Sequence, residues 1–362
     1  MKIRGFELSQ LAIELKKPFI TALRRVEQIH DIIIKIYTDL DYVGYGEACA
    51  VTAITGTTNE VLIKELNEII FPALMGQNIH KDTIFKKLYD CKVSPEAKAC
   101  VDIALFDILA KEADQSLYAY LGASVSTLKT DLTISVNEAS IMRDDALEAV
   151  EKGFDTLKIK LDQDIAKNIH RLNLINEVLP SHARLRLDPN QSLSIDGCLE
   201  MLEAVKRSNI ECIEQPFDAK DIVSMKTLKQ KEIIPVLADE SLFTKKDAKA
   251  LLENEAIDML NIKLMKCGGI YEALAICNLA KQYEKSCMVG SMLEGPISLL
   301  AAVCLGLSQK NISMADLDSP LYLKEHPLLE PFHLHKDSIH LSSKAGLGID
   351  SIMQDLNLFP TM

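Results

Sequence analysis

Two patterns of apolar and polar positions divide the chain. In about the first 120 residues, the alternating or apolar runs FELSQLAIEL, HDIIIKIYTD and GYGEACAV predict strands. Helical patterns follow after Asn59, after His80, and from Ser94 through EAKACVDIALFDILAKEA, where Pro95 behind the serine suits a helix start. The connections around Pro18 to Arg25 and Val51 to Thr58 predict mobile loops.

From Asp131 the chain changes to short apolar stretches separated by amphipathic ones: DLTISV, TLKIKL, RLRLDPN, ECIEQP, PVLADES, MLNIKL, SCMVGSM and ISMADLD. From the second onward their polar ends are Lys160, Asp188, Glu214, Asp239, Lys263, Gly290 and Asp316, spaced 28, 26, 25, 24, 27 and 26 residues apart. Such a near-constant period is what strand-helix units produce, and eight of them predict a closed parallel barrel. An open doubly wound sheet fits a shorter ladder, or one with a glycine-rich phosphate turn, and no G-x-G-x-x-G occurs. The predicted organisation is residues 1–122 as an α+β domain, 123–320 as the barrel, and 321–362 as a segment returning to the first domain.

Within TLKIKL, period two puts Leu157, Ile159 and Leu161 on one face and Lys158 and Lys160 on the other. Lysine is costly to bury without a partner, so that face must meet water or a site. The strand ends sharpen the choice. Asp188, Glu214 and Asp239 fall on three consecutive strands, flanked by Lys160 and Lys263, and the ladder closes on Asp316 and Asp318. Singly, each acid reads as well as a helix cap or turn former, and a lone strand lysine as one that snorkels to an edge. As an ordered set at constant spacing they read as a site. Three neighbouring carboxylates repel one another unless neutralised, and an all-oxygen set favours Mg²⁺ over Zn²⁺.

Lysines on strands two and six would face each other across the ring. That arrangement suits removal and return of a proton beside a carboxylate, whose enediolate needs stabilisation by a cation. Lys158 next to Lys160, and a nearby dication, would disfavour charge on Lys160 and bring a neutral base within reach.

Composition narrows the partners. The 362 residues are 48% hydrophobic and 25% charged, with net charge −12 and pI near 5.2, which argues against nucleic-acid or membrane-surface binding. Nine cysteines without a C-x-x-C pair predict reduced thiols and a cytoplasmic location. The N-terminus lacks an apolar signal region, and the run Ile297 to Leu307 is short of a membrane span.

On these residues the chain resembles the enolase superfamily, in its muconate-lactonizing-enzyme subgroup, for which a Lys or His base with Mg²⁺ is a known pairing. The family pattern of K-x-K, then Asp, Glu and Asp, then lysine is matched by Lys158-Ile159-Lys160, Asp188, Glu214, Asp239 and Lys263. The resemblance implies a modified (β/α)7β TIM-like barrel under an α+β capping domain built from both termini. It implies one Mg²⁺ per subunit on Asp188, Glu214 and Asp239, with Lys160 and Lys263 as the acid/base pair and Lys158 in support.

MADLDS looks like the D-x-D of dipeptide epimerases, which implies that Asp316 and Asp318 hold a substrate ammonium group. GEACAVTAITGTT and MLEGPIS are similar to loops of that group. Arg24, in PFITALRRVEQ, stands where an arginine meets the side-chain carboxylate of a C-terminal glutamate in Ala-Glu epimerases. The implied activity is epimerisation of L-Ala-L-Glu and L-Ala-D-Glu in murein peptide breakdown, by a homo-oligomer with a small dipeptide as partner. Alternatives are an epimerase of dipeptides with apolar or mixed C-terminal residues, a muconate cycloisomerase or o-succinylbenzoate synthase-like enzyme, and a metal-binding barrel without turnover. His333 and His335 in HLH read as structural, and KCGGI as a tight strand-to-helix turn.

Overall fold

The computed structural model describes residues 1–325 and 332–349, together with the backbone of a two-residue strand at 357–358. The remainder of the expected C-terminal segment lies outside the described residues. Strands β1 (Ile3–Ile20), β2 (Arg25–Thr38) and β3 (Val43–Cys49) form an antiparallel sheet with β15 (Asn357–Leu358), in the order β15-β1-β2-β3. Both ends of the chain therefore contribute to this sheet.

Two expected loops contain regular structure. β1 runs through Pro18 to Ile20 and pairs with β2 as Phe19 with Val26 and Ile20 with Arg25, leaving a turn of only Thr21 to Arg24. Pro18 is tolerated because the ladder is interrupted between Glu14 and Phe19, where no main-chain donor is needed. Val51 to Thr58 carries a short helix, Thr52–Thr55, ended by Gly56 at φ 77°.

The helix Pro95–Glu112 lies against β3 and joins this sheet to the rest of the molecule. Ser94 caps it by accepting the Ala97 N–H, with Pro95 in the first turn. Nearly all its residues are buried, including Asp102 and Asp107. Asp107 accepts the main-chain N–H of Tyr45 at 3.0 Å, and Asp102 that of Ile270 at 2.5 Å, beyond the barrel's sixth strand. The glycines of GYGEAC permit the contact: a Cβ on Gly46 would sit 1.8 Å from the Cys100 carbonyl oxygen, and one on Gly44 2.3 Å from that of Ala104.

After β4 (Thr127–Lys129) come the eight strands expected from the ladder. They are β5 (Leu132–Ile134), β6 (Thr156–Lys160), β7 (Arg184–Asp188), β8 (Ile210–Glu214), β9 (Val236–Ala238), β10 (Met259–Lys263), β11 (Ser286–Gly290) and β12 (Ile312–Asp316). They form one sheet in sequence order, every neighbouring pair parallel. The seam between β12 and β5 is closed by side chains as much as by backbone. Asp131 N donates to Ala315 O at 3.3 Å, and Leu317 N to Thr130 Oγ1 at 2.8 Å. From inside the ring, Arg186 Nη1 donates to Asp131 Oδ2 at 2.8 Å and to Ala315 O at 2.9 Å.

Helices cover the outside of the ring, where Leu157, Ile159 and Leu161 join the large apolar core. Its floor is a separate cluster of Cys212, Leu237, Met259, Met288 and Met314. β13 (Phe332–His335) and β14 (Ser338–Leu341) add to β4 as a small antiparallel sheet, which places His333 and His335 on an exposed strand away from the barrel mouth. All nine cysteines are free thiols, eight of them buried. No helix among the described residues is long and apolar enough to cross a membrane.

Gly46→Ala is expected to lower stability by about 1–3 kcal/mol through overpacking, read as the urea midpoint of unfolding. An unchanged midpoint would mean that the helix and β3 do not pack this closely.

Candidate active site

Parallel strands end together, so the polar residues that close β6 to β12 gather at one rim. Lys158 and Lys160 point into the ring together, as period two requires, and both are buried. Lys158 is the hub. Its Nζ lies 2.9 Å from Asp188 Oδ2, 2.7 Å from Glu214 Oε2 and 2.7 Å from Asp316 Oδ2. Lys160 Nζ donates to Asp188 Oδ2 at 2.6 Å. Four strands on, Lys263 Nζ donates to Asp239 Oδ2 at 2.7 Å. Room for it comes from Gly290, where a Cβ would stand 3.1 Å from Lys263 Cε.

Asp188 and Glu214 thus share Lys158, whereas Asp239 stands with Lys263. Among the described residues, the group of three acids whose oxygens all come within 4.8 Å of one another is Asp131, Asp316 and Asp318, not the expected metal set. Asp318 Oδ2 accepts the Thr133 N–H at 2.6 Å and the Tyr322 hydroxyl at 3.0 Å.

Burial and charge set the ionisation of the group. Burial would raise Asp188, yet Lys158 and Lys160 outweigh it and hold the carboxyl down to about 2. Asp239 is held well below the usual carboxylate range, because Lys263 and Lys266 overcome its burial. Glu214 goes the other way, pushed up to about 7 by burial and by repulsion from Asp188. Asp318 rises to about 6 through burial and the neighbouring Asp316. Burial opposes charge on Lys263, but Asp239 wins and raises its pKa.

A cavity of about 40 Å³ lies over the rim, and Lys160, Lys263, Asp316, Asp318 and Arg24 all line it. Arg24 comes from the β1–β2 turn, and its Nη2 donates to Met292 O at 2.7 Å. Its neighbour Arg25 turns outward to Glu27. Phe19, Leu23, Ile54, Met292 and Leu293 give the same cavity an apolar wall.

Several residues of this site were not anticipated. Lys266, read as part of a turn, is 1% exposed. Its Nζ donates to the Asp239 carbonyl at 2.5 Å, to Asp239 Oδ1 and to the Asn261 carbonyl at 3.2 Å. The turn is also present, with Gly268 at φ 92° and Gly269 at φ 119°. Asn261 Nδ2 donates to Glu214 Oε1 at 2.8 Å, and Asn190 Nδ2 to Glu240 Oε1 at 3.1 Å. The available signal was a polar residue inside an apolar run, as in MLNIKLMK.

A parallel barrel with lysines on opposing strands, acids between them and an antiparallel sheet over its mouth defines the class as an enolase-type barrel with a capping domain. The chain belongs to the mandelate racemase / muconate lactonizing enzyme family: residues 6–122 match its N-terminal domain, and residues 141–354 match the enolase C-terminal domain-like family. Among curated relatives it is 38% identical over 356 residues to the L-Ala-D/L-Glu epimerase of Clostridium acetobutylicum, covering 97% of this chain and 99% of that one. Among solved structures it resembles a substrate-liganded complex of the L-Ala-D/L-Glu epimerase from Bacillus subtilis, with TM-score 0.94, 35% identity, and 97% and 99% of the two chains covered. A dipeptide epimerase from Enterococcus faecalis V583, complexed with Mg and L-Leu-L-Tyr, gives TM-score 0.93, 35% identity, and 97% and 100% coverage.

Lys266→Met would leave a buried aspartate short of a cation, and is expected to cost about 3–5 kcal/mol of stability in a denaturant titration. A loss below the error of the titration would contradict the bonds drawn to Asp239.

Proposed function

We propose that the protein is an isomerase: a Mg²⁺-dependent dipeptide epimerase that inverts the α-carbon of the C-terminal residue, with L-Ala-L-Glu and L-Ala-D-Glu as substrates in cytoplasmic breakdown of murein peptides. The carrying observation is that Lys160 and Lys263, on strands four apart in an eight-stranded ring, line one cavity. An α-carbon held between them can lose its proton to one amine and regain a proton from the other, on the opposite face.

Asp188, Glu214 and Asp239 are the residues that would hold Mg²⁺, one ion per subunit. They offer only oxygen donors, as a hard cation requires, and are fully or almost fully buried. Glu214 Oε2 pairs electrostatically with Lys158 but has no hydrogen-bond partner, so it keeps a lone pair for a cation. When bound, the ion supplies positive charge at the substrate carboxylate, where deprotonation places negative charge. Lys160 and Lys263 each hydrogen-bond a carboxylate of this set, Asp188 and Asp239, and Asp239 is what raises Lys263. Lys158 keeps Asp316 in place and would add positive charge below the cavity floor in support of Lys160.

Asp316 and Asp318 would grip the ammonium group of the N-terminal residue, both facing the cavity from one strand end. Arg24 would meet the side-chain carboxylate of the C-terminal glutamate through paired hydrogen bonds. The relatives' dipeptide complexes support this reading. A second reading, epimerisation of dipeptides with apolar C-terminal residues, is favoured by the apolar wall of Phe19, Leu23 and Ile54.

In D₂O with Mg²⁺ and L-Ala-L-Glu, the protein is expected to wash deuterium into the glutamate α-position, and EDTA to stop the exchange. Exchange only with apolar dipeptides would favour the second reading; no exchange with any dipeptide would end both. Arg24→Ala is expected to reduce kcat/KM for L-Ala-L-Glu by about ten- to a hundredfold, the worth of a charged hydrogen bond, while sparing an apolar dipeptide. Equal losses on the two substrates would remove Arg24 from selectivity.

A further inference from the structure

Three buried acids take no part in the chemistry above. Asp31 on β2, Glu47 on β3 and Glu294 after β11 are each 0% exposed, and among the described residues none forms an ion pair. They hold main-chain N–H groups at the N-terminus of the helix Pro296–Ser308 and of the turn that leads into it. Asp31 Oδ2 accepts from Gly295 at 2.7 Å, and Glu47 Oε2 accepts from Ile297 and from Ser298, each at 2.9 Å. Glu294 closes the loop on itself, accepting from Met292 N and, at 3.0 Å, from Ser298 Oγ.

The fit is close. A Cβ on Gly295 would lie 2.1 Å from Glu47 Oε1, so this carboxyl rests directly on the backbone. Asp31 stands within reach of the Cys49 thiol and of the Glu47 carboxyl, and Glu47 Oε1 has no hydrogen-bond donor beside it. A pair of adjacent buried carboxyls is stable when one proton is shared between them. Burial agrees with this, raising Asp31 to about 7 and, with the charge of Asp31 added, Glu47 well above the usual range.

The loop leads back to the cavity. Leu293 is held at φ 66°, a left-handed backbone that a leucine adopts only when its surroundings impose it. One residue earlier, the Met292 carbonyl receives the Arg24 guanidinium at 2.7 Å. We propose that Asp31 and Glu47 are positioning residues for substrate selection. They cap the helix Pro296–Ser308 and so fix the Met292 to Gly295 turn before it, so that the Met292 carbonyl aims Arg24 into the cavity, and the capping sheet thereby sets the preference for an acidic C-terminal residue. The proposal rests on the role given to Arg24 above.

The test is a cycle of Glu47→Ala, Glu47→Gln, Arg24→Ala and the Glu47→Ala/Arg24→Ala double variant, assayed on L-Ala-L-Glu and on L-Ala-L-Leu. Glu47→Ala is expected to lower selectivity for the acidic substrate by about tenfold, the scale of discrimination a single pocket contact gives, chiefly through KM. Activity on L-Ala-L-Leu is expected to stay unchanged. Glu47→Gln, which can still accept from the loop and donate to Asp31, should restore selectivity. In the Arg24→Ala background, Glu47→Ala should change it no further. Equal losses on both substrates, or a shift that persists without Arg24, would overturn the proposal. Loss of selectivity in Arg24→Ala but not in Glu47→Ala would overturn it while leaving the Arg24 reading intact; no loss in Arg24→Ala would overturn both. Asp31→Asn, which keeps an acceptor for the Gly295 N–H but removes the charge, and Asp31→Ala, which removes both, replace the Glu47 variants if Glu47→Ala does not fold: loss of selectivity in Asp31→Ala with recovery in Asp31→Asn supports the proposal, and equal loss in both overturns it.

Discussion

Charge buried at the barrel rim must be balanced there, and the rest of the structure is arranged around that requirement. Asp188, Glu214, Asp239, Asp316 and Asp318 stand beside Lys158, Lys160, Lys263 and Lys266, all at most 6% exposed. A single ion of this set left without partners would cost several kcal/mol. Each lysine therefore sits against at least one acid from the end of another strand. Lys158 reaches β7, β8 and the end of β12, tying distant parts of the ring through one ammonium group. Such a network is held by mutual neutralisation, and its members can exchange partners when another cation or a zwitterionic ligand enters.

The barrel was legible because its signal is repeated. Eight apolar stretches at a constant interval are hard to read otherwise, and strand alternation alone settles which way Lys158 and Lys160 point. The acids and lysines of the site were legible for the same reason, each sitting at the end of its strand. Lys266 escaped because it lies three residues past a strand end, inside a short helix, Leu264–Cys267, whose lysine reads as ordinary turn polarity. Asp131 escaped because it precedes its strand, and its meaning depends on Arg186, a partner 55 residues away. The length of β1 was hidden by Pro18, since a proline in a strand argues against pairing unless the ladder is already broken there. What could not be read was tertiary: which buried acids hold the backbone at the N-terminus of the helix Pro296–Ser308.

On the proposed function, chemistry and selection are divided between the two parts of the molecule. Barrel strands supply the lysines and carboxylates, and these are locked by ion pairs at hydrogen-bonding distance. Arg24, Phe19 and Ile54 come from the capping sheet and its loops, and they meet the same cavity from above. The helix Pro95–Glu112 fastens the two parts through Asp102 and through glycines that let β3 approach it. A change in the cap can therefore alter which side chain is accepted without moving the groups that handle the proton. That division explains why the acidic triad and paired lysines specify the family more sharply than they specify the substrate.

Inversion at carbon needs proton donors and acceptors on both faces of a plane, and a closed ring is what makes this possible here. In an open sheet, Lys160 on β6 and Lys263 on β10 would lie roughly 19 Å apart, four strand spacings of about 4.8 Å, on the same surface. Closing eight strands turns a separation of four into a diametrical one, so the two amines look toward each other. The three intervening strands β7, β8 and β9 then fall on one side of the line between them, and they carry Asp188, Glu214 and Asp239. The side opposite belongs to β11, β12 and β5, with Gly290 leaving space and Asp316 and Asp318 supplying negative charge. On the proposed function, a substrate lying across this ring would have its carboxylate drawn to one side and its ammonium group to the other. Its α-carbon would then stand between the two lysines, which follows from strand order before any contact with a particular side chain is considered.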